Sequence, residues 1–345
     1  MAVGEVQPTM PEEAMTRVRI GLIGGGGIAD AHIRGYRAFA ETVLPAAVAD
    51  ALPEVAQRRA AELGVPAHTD YRQMIAQAQL DAVDICLPHH LHAEAIVTAA
   101  EAGLHVLCEK PICLTRTEAE TVKAAVSQNR VTLMCAHNQL FLPTVTKAME
   151  LLGSGTLGRL YQVRTTDCFR NDFDPHTMGW RASALTSGGG ELIDTGYHPT
   201  YLMLELAGAA PVEVVAMLAT HRLTFAEGED SAQLLVRFDN GVVGQLATSW
   251  AFDPPPGTER FSVVGANGTL RGSETSLTLT LNGRPSQIFD FDPVDTYVAE
   301  IGHFAASLIG RSRPLHTERE GIEVLQMLLA AYESARTRTI VPVGG

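Results

Sequence analysis

Lys110 is one of only three lysines in a chain of 345 residues, and it sits in Glu109-Lys110-Pro111 at the end of the apolar run Leu104–Cys108. An ammonium at the C-terminal edge of a parallel sheet lies where open α/β sheets bind ligands. The plain alternative is a solvated surface lysine ahead of a loop proline, as most lysines are. Its company argues otherwise. Downstream, Gly188-Gly189-Gly190 leads to Asp194 and His198, four residues apart. That spacing puts two side chains on one face of a helix. Pro199 is comfortable only in a helix's first turn, so a helix is expected to start around Gly196–His198 and run to Leu206. His198 then projects from a helix N-terminus, where the dipole favours the neutral imidazole.

Oxidising a secondary alcohol with a nicotinamide removes a hydride from carbon and a proton from oxygen. A neutral imidazole suits the proton step. A nearby ammonium stabilises the developing alkoxide, worth about 3 kcal/mol if it matches one oxyanion donor. Asp194 can bind a neighbouring hydroxyl or tune His198. A capped helix with one solvated carboxylate is the bland reading of the Asp/His pair taken alone.

The cofactor that such chemistry needs has its own signature. Gly24-Gly25-Gly26-Gly27-Ile28-Ala29 directly follows the apolar run Val18–Ile23 and matches G-x-G-x-x-A. The first glycine serves a tight turn, the second a close approach to pyrophosphate, and Ala29 helix–strand packing. Backbone amides of Gly26, Gly27 and Ile28 at a helix N-terminus suit the phosphates. Asp50 closes the second run, Ala46–Ala49, where a carboxylate accepts from ribose hydroxyls and repels a 2′-phosphate. Ala51-Leu52-Pro53 offers nothing to bind that phosphate, so NAD is expected rather than NADP, though Asp50 could also simply cap the following helix. Leu87-Pro88-His89-His90-Leu91-His92 lies at the same ligand-facing edge. Its histidines lack partners with metal-ligand spacing, so no metal is expected; Pro88, His89 and His92 are read as lying beside the cofactor or capping a helix. Glu109, Lys110 and Asn138 complete the expected cofactor contacts. Substrate contacts are expected from the stretch between Arg170 and Arg181, including Asp172, Asp174, His176, Trp180 and Arg181. Trp180 could stack on a sugar face or lie in the core, and Arg181 could bind an anionic group or hold the cofactor loop.

The elements that must position these groups fall into two halves. From Val18 to about Ala136, apolar runs (Val18–Ile23, Leu44–Ala49, Ala82–Cys86, Leu104–Cys108, Val131–Cys135) alternate with helical stretches such as Pro53–Leu63 and Ala93–Ala102. Thr115 with Glu118 forms a capping box for another helix. Strands spaced by helices mean βαβ units and a parallel sheet covered on both faces. In the second half a helix over Thr144–Leu152 precedes strands at Leu160–Thr166, Val212–Leu218, Ala232–Phe238, Val242–Trp250, Arg260–Val264 and Leu277–Leu281. Asp239-Asn240-Gly241 is a hairpin signal, and Ala266-Asn267-Gly268 and Asn282-Gly283 carry similar turn chemistry. Helices over Tyr297–Leu308 and Glu318–Arg336 close the chain. The division expected is a disordered tail over 1–16, an NAD-binding Rossmann domain over 17–140, and an α+β domain for substrate binding and oligomerisation over 141–345.

Composition narrows the partners. Hydrophobic content of 46% with 19% charged residues is ordinary for a globular protein. A formal charge of −13 with no basic stripe disfavours nucleic acid and anionic membranes. The five cysteines are odd in number and without CxxC pairing, which reads as a reducing cytoplasm. No secretory signal or membrane-spanning run is evident.

Together these segments resemble the Gfo/Idh/MocA oxidoreductases, the family of glucose–fructose oxidoreductase and inositol dehydrogenase. The resemblance rests on Gly24–Ala29, Asp81–Pro88, Ala102–Pro111, Gly188-Gly189-Gly190 with Asp194-x-x-x-His198, and Tyr297-x-x-Glu300-Ile301-x-x-Phe304. It implies a Rossmann domain followed by a large, mainly antiparallel open sheet that often pairs with a second subunit, giving a homodimer or homotetramer. It also implies a nicotinamide cofactor and a sugar, cyclitol or related polyol substrate. On this likeness Lys110 is the catalytic lysine, Asp194 the substrate-binding carboxylate and His198 the acid/base. Three positions depart from the family pattern: Leu140 replaces a frequent arginine, Tyr201 a frequent aspartate three residues after His198, and His89 a frequent asparagine. Two other functions use the same motifs. One is an NAD-retaining enzyme that cleaves glycosides through transient oxidation. The other is a non-catalytic NAD sensor, against which the intact trio argues.

Overall fold

A computed structural model describes residues 17–344; the tail expected over 1–16 lies outside the described residues. The first half alternates strand and helix in the order β1 (Val18–Ile23), α1 (Ala29–Ala38), β2 (Val43–Ala49), α2 (Pro53–Leu63), β3 (Ala67–His68), α3 (Tyr71–Gln77), β4 (Ala82–Ile85), α4 (His92–Glu101), β5 (His105–Cys108), α5 (Arg116–Asn129) and β6 (Leu133–Cys135). The strands pair in parallel in the order β3-β2-β1-β4-β5-β6. β4 is buried at every position, as a sheet covered on both faces requires. Strand order reverses between β1 and β4, and ligands of such sheets bind beyond the strand ends at that point. The capping box at Thr115 and Glu118 is formed at the start of α5.

The second half runs through α6 (Pro143–Gly153), β7 (Leu160–Cys168), α7 (Ala184–Ser187), α8 (Tyr197–Ala207), β8 (Pro211–Ala219), β9 (Ser231–Phe238), β10 (Val243–Ser249), β11 (Phe261–Gly265), β12 (Gly268–Gly272), β13 (Ser276–Leu281), β14 (Gln287–Asp290), α9 (Thr296–Leu308), α10 (Glu318–Thr337) and β15 (Val341–Pro342). Its strands form a nine-stranded sheet in the order β14-β13-β12-β11-β7-β10-β9-β8-β15. All pairs are antiparallel except β7 with β10. The sheet is therefore large and mainly antiparallel, as expected, with one parallel pair at its centre. Asp239-Asn240-Gly241 makes the β9–β10 turn, with Gly241 at φ +84° and the Asn240 side chain accepting from the Val242 amide.

α9 does not cover the second sheet. Its Ile301, Phe304 and Ala305 join Ile20, Leu22, Ile33 and Tyr36 in one core cluster on the first sheet. Gly35 of α1 lies so close to Ile301 that an added Cβ would sit 2.6 Å from its side chain. The C-terminal region thus returns to the N-terminal layer and carries Tyr297 to the cofactor side.

Candidate active site

A cleft of about 730 Å³ opens at the C-terminal ends of β1, β2, β4 and β5. At one end lies the glycine turn after β1. Gly24 adopts φ +94°, and a Cβ there would run into the Cys86 carbonyl, so only glycine fits. A Cβ on Gly26 or Gly27 would meet nothing within 4 Å, which leaves open space against the backbone. The Gly26, Gly27 and Ile28 amides face no protein acceptor among the described residues, while the Ala29 and Asp30 amides bond back to Gly26 and Gly27. Three free donors at the N-terminus of α1, lining a cleft, are fitted to a pyrophosphate.

Asp50 follows β2 and lines the cleft beside Ala51 and Leu52. Its carboxylate accepts from the Gly25 amide at 2.8 Å and from the Leu52 amide at 2.9 Å. It therefore braces the glycine turn and the chain just ahead of α2; the helix's own N-cap is Leu52, with no side-chain cap, so Asp50 does not cap it. Arg59, buried on α2, donates to the Gly25 and Gly26 carbonyls at 3.0 and 3.1 Å. Nothing in the local sequence marks Arg59, because its partners lie some thirty residues upstream.

At the other end three segments converge. Lys110 follows β5, and its peptide bond to Pro111 is cis. Its Nζ donates to the Asp194 carbonyl and to Asp194 Oδ1, both at 2.8 Å. Arg181 donates to the other carboxylate oxygen of Asp194, and its guanidinium lies 4.3 Å over the Trp180 ring. Burial favours the neutral acid at Asp194, but Lys110, Arg181 and His89 outweigh it and hold the carboxyl well below the usual range. An ammonium has three donors; two serve Asp194, which leaves one for a ligand oxygen.

His198 occupies the first turn of α8, with Pro199 next, as the proline constraint demanded. Burial pushes its imidazole well below the ordinary range, Lys110 and Arg260 add to this, and Asp194 opposes it. The ring is therefore neutral. His89 donates from Nδ1 to the Ser187 carbonyl at 2.9 Å and packs edge-on to Trp180 at 4.5 Å. Burial pushes it down to about 3.

Behind Lys110 lies a buried chain of charge. Glu109 faces His32 Nε2 at 3.2 Å, and His32 Nδ1 faces Asp84 at 2.8 Å. Burial opposes protonation of His32, but the Asp84 carboxylate outweighs it and holds the imidazole well above its ordinary range. His32, Asp84 and Cys86 are close enough to share a cation, yet the imidazole–carboxylate bond already satisfies them.

Most residues singled out from sequence meet at this cleft: Gly24, Gly26, Gly27, Ile28, Asp50, Pro88, His89, Glu109, Lys110, Trp180, Arg181, Asp194 and His198 all line it. Three do not. His92 is fully buried, with its two ring nitrogens turned to the Pro111 and Leu87 carbonyls. Asn138 is buried and donates to Thr296, tying its loop to α9. His176 is exposed in a turn capped by Asp174, away from the cleft. Tyr297 and Thr195 line the cleft without having been singled out as contacts. The glycine run at 188–190 serves packing: Cβ atoms there would collide with Leu114, Tyr332 and the Glu229 backbone.

Residues 18–137 match the model of an oxidoreductase family with an NAD-binding Rossmann fold, GFO_IDH_MocA, and residues 145–271 match the C-terminal domain model of the same family. The rhizopine catabolism protein MocA of Rhizobium meliloti is 32% identical over 80% of this chain and 86% of its own length. Levoglucosan dehydrogenase of Pseudarthrobacter phenanthrenivorans is 29% identical over 74% of this chain and 73% of its own. A solved levoglucosan dehydrogenase in complex with NADH and levoglucosan superposes with a TM-score of 0.87 at 25% identity, covering 95% of this chain and all of that one.

Proposed function

This chain belongs to the Gfo/Idh/MocA oxidoreductase family, and from that premise we propose that it interconverts a secondary alcohol and a ketone on a sugar, cyclitol or related polyol. The observation that carries the reading is the meeting of Lys110, Asp194 and His198 at one end of a cleft whose other end offers free backbone amides and Asp50. The names of its relatives, levoglucosan dehydrogenase and myo-inositol 2-dehydrogenase among them, favour a polyol. When bound, a nicotinamide supplies the hydride acceptor or donor. Lys110 holds positive charge beside the reacting oxygen and keeps one N–H for it. Asp194, ionised, accepts from a neighbouring hydroxyl. His198, neutral, takes the hydroxyl proton at Nε2 during oxidation and returns it during reduction. Trp180, at the cleft wall, offers ring surface to the substrate's C–H groups.

Asp50 argues for NAD: a carboxylate at the ribose end repels a 2′-phosphate, and the adjoining Ala51 and Leu52 bring no cation. The second sheet keeps one face free of helices, where Met217 is 78% and Leu235 48% exposed, so we assign this face to pairing with a second copy. Among the described residues no helix is long and apolar enough to cross a membrane.

The test is turnover of purified protein with NAD and, separately, NADP against a panel of sugars and cyclitols. NADH formation on a panel member, with at least a tenfold preference over NADP, is the expected result. Tight NAD binding with no net NADH on any member would overturn it in favour of transient redox or sensing.

A further inference from the structure

We propose that the Tyr201 hydroxyl is a positioning group for the proton step: it holds His198 Nδ1 through an uncharged hydrogen bond, so that Nε2 alone serves the substrate. This rests on the reading of His198 as the acid/base. Tyr201 lies one turn after His198 on α8 and is fully buried. Its hydroxyl is 2.9 Å from His198 Nδ1 and accepts the Gln139 amide at 3.0 Å. Its ring is stacked on His137, with centroids 4.2 Å apart and planes inclined by 11°. The oxygen is therefore fixed from two sides and cannot swing away from the imidazole.

The pairing has a chemical consequence. A backbone N–H can only donate, so the phenolic oxygen accepts from Gln139 in every state. Among the described residues Nδ1 is the one acceptor within reach of the phenolic hydrogen. When Nδ1 carries a proton, the same oxygen has a lone pair to accept it. The bond to the other nitrogen decides which tautomer faces the reaction: with Nδ1–H donating to the hydroxyl oxygen, Nε2 keeps the lone pair that a base needs. During oxidation the substrate O–H bond breaks, its proton goes to Nε2, and Nδ1–H donates to Tyr201 as positive charge spreads over the ring.

A carboxylate at this position, frequent in the family pattern, would also stabilise that imidazolium by charge. Tyr201 does not. The charged and titratable groups facing His198 are Lys110 after β5, Asp194 on the turn before α8, Arg260 ahead of β11, and His137 after β6. Burial, Lys110 and Arg260 favour the neutral ring, and Asp194 alone opposes them. With a neutral hydroxyl on Nδ1, His198 remains a base well into acid.

The experiment compares Tyr201→Phe, Tyr201→Asp and His198→Asn with the parent by kcat and KM for alcohol oxidation across pH, and by ¹⁵N NMR of the histidine rings in the NAD-bound protein. Y201F keeps the ring stacked on His137 and removes only the hydroxyl. It is expected to lower kcat about ten- to a hundredfold, the usual cost of losing a group that orients a functional histidine, with KM within twofold. Its His198 nitrogen shifts should move. Y201D is expected to raise the acid limb of kcat by at least about one pH unit, as an adjacent carboxylate does. Parent-like kcat, pH profile and ¹⁵N shifts in Y201F, with H198N inactive, would overturn the role of Tyr201 alone. A fully active H198N would instead remove His198 from the proton step, and the positioning role with it.

Discussion

Replacing Lys110 with methionine removes the ammonium while keeping most of the apolar stem, and its effect can be worked out from the contacts. The ammonium is about one-twelfth exposed and donates twice to Asp194 at 2.8 Å. In the folded protein, breaking a buried pair leaves an uncompensated charge and costs about 3–5 kcal/mol when nothing else neutralises it. Arg181 remains on the other carboxylate oxygen, so about 2 kcal/mol is expected here. The kinetic loss is larger. If the third Lys110 donor meets the developing alkoxide, its removal costs about 2.7–4 kcal/mol of transition-state stabilisation, or about 10²–10³ in kcat. The assay is steady-state NADH formation at saturating NAD and substrate, with NAD affinity measured by calorimetry and folding by chemical denaturation. NAD affinity should change less than threefold, because the phosphate and ribose contacts lie at the other end of the cleft. Lys110→Arg should fall between parent and methionine, since the charge persists but a planar fork replaces a point donor. A folded K110M protein that binds NAD and loses less than tenfold in kcat would refute the assignment.

Two glycines of one turn should respond in opposite ways: Gly26→Ala leaves stability unchanged but weakens NAD binding, because its Cβ enters the open cleft, whereas Gly24→Ala destabilises, because φ is +94° and the Cys86 carbonyl blocks the Cβ. Denaturation midpoints with and without NAD separate the two. Acid should weaken the fold through its buried neutral histidines. His89 is held at about 3 and titrates near 6.5 when unfolded, so the unfolded state binds the proton first and stability falls between those values, by about 2 kcal/mol from pH 6.5 to 5. Urea unfolding of His89→Gln should show that much less slope; an unchanged slope would count against it. Asp194 acts lower: its depressed carboxyl contributes stability above the unfolded carboxylate range that is lost only in stronger acid. Met217→Asp should dissociate the protein into monomers on size exclusion with light scattering, with the first sheet and its NAD affinity intact; an unchanged mass would remove the open sheet face as the interface.

Legibility followed distance along the chain. The turn from β1 into α1 could be read because its three small positions and the strand before it are adjacent, and the start of α8 because Pro199 restricts the residues around it. β12 and β14 escaped notice because each is short and lies beside a turn whose glycine and asparagine dominate the local signal. His92 looked like a cofactor contact because it stands four residues past Pro88; the turn over His89–Leu91 rotates it inward onto two carbonyls. Asn138 was similarly drawn off by Thr296, a partner that only the return of α9 brings near.

The sequence by itself determined the parallel and antiparallel halves and the glycine turn, and it marked Asp50, Lys110 and the Asp194/His198 pair as candidates, because each is written in residue type and short-range spacing. Tertiary structure alone decided that Arg59 braces the glycine turn, that α9 caps the first sheet, that Arg181 joins Lys110 on Asp194, and that Tyr201 takes up His198 Nδ1 together with the Gln139 amide. Except for His198 and Tyr201, three apart on α8, those contacts join segments from thirteen to nearly three hundred residues apart. Their geometry comes from how two sheets and their helices pack, and no local pattern encodes it.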